Sequence, residues 1–590
     1  MKGRKKKKSN SAKRSFDPNE VASALHSALI RDFKEAQHVY CLNDSVTLYA
    51  FNRQVNELRK KFTLPGPHQD ELKEMAYDKF KTVNNHMREV NARLKQEFRE
   101  MPVRCLKSLP DRQKIHLRAR HLVHLVLGQL DTEAWFQECK NSSGTSLGVP
   151  YRDTSLENKF RYPLSATKHA ERIFRGYLQW DEGLAAAIDE HNGPTPDGEK
   201  YSIVDSSRAT TVDKNDTQRR FIAIEPTCNM YLQQGLMELM YNLLKRFGLD
   251  VATLPDIHRQ LARYGSIHCQ FATIDWSSAS DCVSIELLRW LMPTEWFRAM
   301  TLVRCYNTEI NGEVTPLHMI SSMGNATTFP LELLVFWAYA VATQVTLETD
   351  TTSVLLTQED CKKSMCSVFG DDCIVPSSIA EPYMALMVEN GFIVNKEKSC
   401  YGPMQFRESC GGDYLNGYNI RPHHMRAPSS DRVSALEPWL YIQANALLRK
   451  YIQYFGELSY VYDKELWRTI FGLFSQYKLR VKLVPSSFPD DSGLKIGGDI
   501  QRFRNHYSMR LSRIDTSKHG TVRFLYCNYR YRETLQWNEQ LRYQVKLKKF
   551  VMLERRRELP HEYQIRKRGG YVVASAKSCH WRDPIVAMGG

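Results

Sequence analysis

Ser367-Val368-Phe369-Gly370-Asp371-Asp372-Cys373-Ile374-Val375-Pro376 is the stretch on which the reading of this chain turns. Two short β-prone runs flank Gly-Asp-Asp, a tripeptide suited to a tight turn. The pattern predicts a hairpin with two adjacent carboxylates at its tip. Carboxylates that close repel one another, and a divalent cation relieves the repulsion. An oxygen-only donor set favours Mg²⁺ or Mn²⁺ over softer metals. The tripeptide alone decides little, since roughly one chain in ten of this length holds a copy by composition. Its meaning depends on whether the rest of the chain supplies partners.

Upstream of the hairpin, Ser321-Ser322-Met323-Gly324-Asn325 reads as a small flexible loop opening onto an apolar helix from Phe329, with Thr328 one turn inside. Gly324 permits close backbone approach to a ligand. Earlier still, Phe271-Ala272-Thr273-Ile274-Asp275 reads as a strand ending in an acid. Ser277, Ser278 and Ser280 then form a small-residue turn. A helix is expected from Asp281, with apolar residues to Leu291 and a stop at Pro293. Asp281 has a structural explanation as a helix N-cap, whereas Asp275 has none and is the third carboxylate that a two-metal site needs. Val212–Pro226 places Lys214, Arg219 and Arg220 at the mouth of a β-prone run, a pattern suited to phosphate as well as to simple solvation. Downstream, Gly391–Gly412 carries Lys396 and Lys398 shortly after a strand-like run.

Composition bounds the partners. The formal net charge is +16, of which residues 1–14 contribute +8 and residues 501–590 contribute +13, leaving −5 for the rest. Cations gathered at both ends suit a polyanion, with nucleic acid ahead of an anionic membrane. Nothing in 1–14 can bury apolar area, so a disordered basic tail is expected there. Fourteen cysteines without a C-x-x-C pair indicate neither a zinc module nor a disulfide framework. No apolar leader opens the sequence, and Phe329–Leu347 is expected to be a buried helix, so the expectation is a soluble cytosolic protein. From Asp70 to Met101 apolar residues recur every three to five positions, predicting a long amphipathic scaffold helix ended by Pro102. Asn141–Pro150 reads as a dividing loop, and the segment beyond Pro428 as helical and aromatic. His423-His424 reads as a pair of surface histidines rather than half a metal site.

The ordered set of basic strand, strand-Asp-turn-helix, Ser/Gly loop-helix, Gly-Asp-Asp hairpin and Lys-bearing segment resembles the palm of template-directed nucleic acid polymerases. Ile222-Ala223-Ile224-Glu225-Pro226, Asp275 with Ser278-Ala279-Ser280-Asp281, Ser321 to Asn325, Gly370-Asp371-Asp372 and Phe406-Arg407-Glu408-Ser409-Cys410-Gly411 are similar in wording to the replicase catalytic subunit of single-stranded RNA bacteriophages, the Qβ-like levivirus group. The resemblance is strong across residues 210–412 and thin outside them. It implies an α+β right-hand polymerase of fingers, palm and thumb, with an antiparallel palm sheet in mostly helical surroundings. The implied division is a basic tail (1–15), an N-terminal region and fingers (16–265), a palm (266–420), and a thumb with a basic extension (421–590).

By position, the resemblance makes Asp275, Asp371 and Asp372 the ligands of two Mg²⁺ ions, with Mn²⁺ as the alternative. Lys214 and Arg220, and Arg219 beside them, would face the triphosphate. Asp281, with Ser322, Gly324 and Asn325, would face the sugar and sense its 2′-hydroxyl. Lys398, or failing that Lys396, would protonate pyrophosphate. One departure is Glu332, which stands where many RNA polymerases carry an asparagine that supports ribose recognition. The expected activity is RNA-directed RNA polymerisation from ribonucleoside triphosphates, with RNA template and product as partners. Host elongation factors Tu and Ts and a ribosomal protein are implied alongside, in the cytoplasm of the infected bacterium, with no membrane. A reverse transcriptase and a non-enzymatic basic RNA-binding or packaging protein are the alternatives.

Overall fold

The computed structural model describes residues 15–39, 45–101, 109–142, 144–150, 154, 159–193, 196–349, 351, 353–455, 464–486 and 488–495. It also gives the backbone of four strands at 515–516, 521–527, 564–568 and 571–577. The expected basic tail at 1–14 lies outside these residues, as does most of the basic C-terminal extension. The protein is a mixed α and β structure in two compact units. One unit holds the described residues up to Pro65 and from Ile420 onward. The other is Gly66–Asn419.

Within Gly66–Asn419 the candidate carboxylates Asp275, Asp371 and Asp372 hang on a four-stranded, fully antiparallel sheet. Its order is Ile393–Val394, Phe271–Ser277, Asp372–Pro376, Ser367–Phe369. The central strand Phe271–Ser277 is buried at five of its seven positions and half-buried at Asp275 and Ser277, as befits a strand covered on both faces. Trp276 stacks on Phe336, with ring centroids 5.3 Å apart and planes 10° apart, and its indole donates to Cys373 Sγ. Phe336 belongs to the helix Thr328–Glu348, the only one among the described residues long and apolar enough to cross a membrane. Leu331 to Ala342 of that helix are all buried within the protein, and an all-round apolar surface is what a core helix requires.

The helix expected from Asp70 spans His68–Glu100 and buries Leu72, Phe80, Val83, Met87, Val90 and Leu94. Met75 breaks the expected stripe and points outward, 62% exposed. This helix ties three separate elements together. Phe80 stacks on Phe221 at 3.7 Å between centroids. Asn84 Nδ2 donates to Pro316 O. Asn91 Nδ2 donates to His318 O, while Asn91 Oδ1 accepts from Ser284 Oγ and Glu286 N. A second, mixed sheet contains the hairpin Ser206–Asp213 and Arg219–Ile224, extended by Asn307–Ile310 and Glu313–Pro316. The loop around Leu147 is bonded to this region, Leu147 N donating to Glu225 O.

The other unit packs helices Pro18–Val39, Ser45–Glu57, Val433–Phe455 and Glu465–Gln476 around one core. Trp439, Tyr441 and Tyr451 are buried there. His423 and His424 are half-buried rather than surface residues. The His423 ring bonds Gln443, and the His424 ring bonds Glu57 O. Four further strands in this unit, Asp515–Thr516, Thr521–Cys527, Gln564–Arg568 and Tyr571–Lys577, form an antiparallel sheet.

Candidate active site

Register brings the carboxylates together. Antiparallel pairing sets Asp275 directly opposite Asp372, and Asp372 also faces Phe369 across the hairpin. Gly370 and Asp371 form the two-residue turn. Gly370 has φ +61, and a Cβ there would meet the Phe329 ring at 2.4 Å, so both conformation and space demand glycine. Asp371 is therefore the turn residue and Asp372 the first residue of the return strand. Burial, then the Asp275 charge, raises the Asp371 carboxyl. Burial, then Asp371, pushes Asp372 up to about 7, against the N–H of Cys410, which donates to Asp372 Oδ2 at 2.9 Å. Cys410 sits in the positive-φ turn of the hairpin Phe406–Ser409 and Gly412–Leu415. Asn395 Nδ2 donates to Asp275 Oδ2 at 2.6 Å.

Cations line the other side. Lys398 Nζ lies 3.8 Å from Asp275 Oδ1. Desolvation opposes its charge, but Asp275, Glu408, Asp372 and Asp371 together raise its pKa. Lys396 is exposed. Arg219 and Arg220 separate as strand neighbours must, on opposite faces. Arg219 is locked into its own sheet, bonded to Thr211, Gln69 Oε1 and Asp213. Arg220 is exposed, and its charge acts on Asp371, Asp281 and Glu332. Partial desolvation, then Arg220, Lys79 and Lys398, holds Lys214 below the usual lysine range.

The segment after Asp275 differs from expectation. Ser278 takes φ +53, and Ala279–Asp281 forms one 3-10 turn. The helix starts only at Ile285, capped by Ser284, whose side chain accepts from Leu287 N. Asp281 is thus not the N-cap. It is buried, with Oδ1 unpaired among the described residues, and burial pushes its carboxyl up to about 7. The hydroxyls of Ser321 and Ser322 are likewise buried without a partner. Gly324, at φ +116, lies so close to Ala223 that a Cβ would sit 2.0 Å from its carbonyl oxygen. Ala223 N donates to Met323 O in the same contact. Gln233 Oε1 accepts from Ala326 N, and Gln233 Nε2 donates to Glu225 Oε2. Asn325 Oδ1 is used within the loop, accepting from Thr327 N and Oγ1. Glu332 is buried, and desolvation, then Asp371 and Asp281, raises its carboxyl well above the usual range.

Among the described residues no three His, Cys, Asp or Glu side chains form a ready-made metal cage. The donor chemistry nevertheless fits a hard divalent cation: Asp275, Asp371 and Asp372 supply oxygens only, and their mutual repulsion is what such an ion offsets. Residues 20–437 match the family model described as RNA replicase, beta-chain. The chain belongs to that family. Relatives of this replicase-family chain include the RNA-directed RNA polymerase subunit beta of Enterobacteria phage SP, 33% identical over 316 residues, covering 53% of this chain and 50% of that protein. The RNA-directed RNA polymerase beta chain of Enterobacteria phage fr is 31% identical over 301 residues, 51% and 52% of the two chains. The subunit beta of Escherichia virus Qbeta is 30% identical over 315 residues, 53% and 49%. The replicase-family chain spans about half the length of the curated relatives it matches.

Three features of this replicase-family site escape sequence reasoning. Asn395 lies in a quoted stretch, three residues before Lys398, but nothing in its neighbours announces a bond to Asp275. The Cys410 amide is a backbone group and leaves only a turn signal. Arg407 is fully buried, donating to Phe271 O, Met404 O, Phe406 O and Gly402 O, which staples the Cys410 hairpin to the central strand.

Proposed function

We propose that this chain is an RNA-directed RNA polymerase, the catalytic subunit of a single-stranded RNA phage replicase, working by two-metal nucleotidyl transfer. The observation that carries the reading is the strand register that pairs Asp275 with Asp372 beside Asp371, with Lys398 at 3.8 Å. Asp275, Asp371 and Asp372 would hold two Mg²⁺ ions, or Mn²⁺. Bound there, such ions lower the pKa of a 3′-hydroxyl and neutralise charge on the triphosphate and leaving pyrophosphate. Asn395 fixes the Asp275 carboxylate, and the Cys410 amide fixes Asp372, so the acids are oriented before substrate arrives. Lys214 and Arg220 neutralise the triphosphate. Lys398 keeps a proton available for the departing pyrophosphate oxygen. Asp281, with an unpaired buried oxygen, accepts from the ribose 2′-hydroxyl, beside the Ser322-Met323-Gly324-Asn325 loop.

On this reading Gly66–Asn419 contains palm and fingers and the other unit contains the thumb. Association with host elongation factors Tu and Ts and a ribosomal protein in the bacterial cytoplasm belongs to the same proposal, with co-purification from infected cells as its check. The deciding experiment is nucleotide incorporation on one defined RNA template with the purified chain, with and without host extract and Mg²⁺. Asp371→Asn is expected to abolish synthesis while RNA binding persists. Mutant turnover above about one hundredth of wild type would defeat the assignment, since one metal ligand is worth far more than that.

A further inference from the structure

Lys79 lies outside every motif, on a helix whose periodicity marks it as scaffold, yet the fold delivers it to the site. The delivery is geometric. The neighbouring Phe80 stacks face to face on Phe221, planes 6° apart, and Tyr77 meets the same ring edge-on. Phe221 follows Arg220 directly on the basic strand. Asn91, three turns further along the helix, holds Ser284, the cap just after Asp281. The helix is thus tied on both sides of the gap between the basic hairpin and Asp281.

Lys79 lies between Tyr77 and Phe80 on that tied stretch of helix and is exposed. Its charge acts on Lys214, on Asp281 and on Cys282. Neither its i±3 nor its i±4 helix neighbours (Ala76, Thr82, Met75, Val83) can pair with it. Among the described residues no carboxylate forms an ion pair with it. By contrast, Lys81 two positions on pairs with Glu313. Lys79, Lys214 and Arg220 converge from two elements, and the charges of Arg220 and Lys79 add to desolvation in holding Lys214 below the usual lysine range, an arrangement that suits a polyanionic ligand.

We propose that Lys79 is a nucleotide-binding residue that neutralises the phosphates of the incoming ribonucleoside triphosphate alongside Lys214 and Arg220. This rests on the polymerase reading for the identity of the ligand. The triphosphate is favoured over template RNA because Lys79 acts on the two groups, Lys214 and Asp281, assigned to opposite ends of the nucleotide.

The test uses the full chain and ATP as the probe. Equilibrium ATP affinity and the KM for ATP on a defined RNA template are measured for wild type, Lys79→Ala and Lys79→Arg, with thermal melts and template RNA affinity alongside. The alanine variant is expected to weaken ATP binding and raise KM about tenfold, the effect of one charge-assisted hydrogen bond. Its kcat, melting temperature and RNA affinity should stay near wild type, and the arginine variant should recover most of the loss. Unchanged ATP affinity and KM in Lys79→Ala would overturn the proposal. Loss of RNA affinity with unchanged KM would overturn it too, assigning Lys79 to the RNA backbone. If wild type incorporates no nucleotide while Lys79→Ala still weakens ATP binding, the polymerase reading fails and the phosphate site stands.

Discussion

Replacing Asp372 by asparagine should stabilise the protein while removing the chemistry. Asp372 faces Asp275 across the sheet and follows Asp371, and its carboxyl is pushed from 3.8 up to about 7. Between those values the folded state holds a proton that the unfolded chain has released. Stability therefore falls as pH rises through the window from about 4 to 7, and the loss is complete above it. At about 1.36 kcal/mol per pH unit, full burial would give a cost of up to about 4 kcal/mol at pH 8. The side chain keeps some solvent contact, which screens the repulsion, so roughly 1–2 kcal/mol is expected. Asparagine retains an oxygen for the Cys410 N–H, so that bond survives. Melting curves of wild type and Asp372→Asn should coincide near pH 4 and diverge toward pH 8, the mutant melting roughly 1–4 °C higher in a unit of this size. Adding Mg²⁺ at pH 8 should raise the wild-type midpoint and leave the mutant nearly unmoved, because an ion that binds only the folded state stabilises it. A mutant no more stable than wild type at pH 8, or a difference independent of pH, would refute the argument that burial and the neighbouring carboxylates penalise ionised Asp372.

Asp281→Ala should lower kcat/KM for a ribonucleotide and narrow its advantage over the deoxy analogue by about 1–3 kcal/mol, since the unpaired acceptor is removed; parallel kinetics with both nucleotides check this, and equal losses for both would remove the sugar-sensing role. Gly324→Ala forces an L residue to φ +116 and a Cβ to within 2.0 Å of Ala223 O, so the loop must separate from the basic strand, and the KM for nucleotide should rise together with a lowered melting temperature. Glu332→Gln should cost little stability at pH 7, because burial, then the Asp371 and Asp281 charges, raises that carboxyl well above its usual range and favours its neutral form; melting curves of the two proteins check this. Strong destabilisation of the glutamine variant at pH 7 would mean that the folded protein carries the charge.

Much of the candidate site was legible because the signals were local. A Gly-Asp-Asp between two β-prone runs specifies a tight turn from neighbouring residues alone, and Gly370 occupies the position that φ +61 requires. The apolar run from Thr328 is uniform around the helix and so announces its own burial. Local reading failed where two short-range explanations competed. Asp281 and Ser284 are both good caps, and the helix took Ser284 because the αL turn at Ser278 held Asp281 back in a 3-10 turn. Arg219 and Arg220 look alike in sequence, but strand alternation sends one into the sheet and leaves the other exposed.

The inventory and order of the chemical groups, three carboxylates, a basic strand, a Ser/Gly loop and a lysine, can be read from the residues alone. Which of them meet depends on how the strands and helices pack. Asp275 faces Asp372, 97 positions further along the chain, only because the register of two buried strands is set by which apolar faces they share. Asn395 on Asp275 and the Cys410 amide on Asp372 are contacts between elements far apart in the chain. Periodicity and capping act over a few residues and carry no information about such partners. Packing, which excludes all but one arrangement of the core, supplies it.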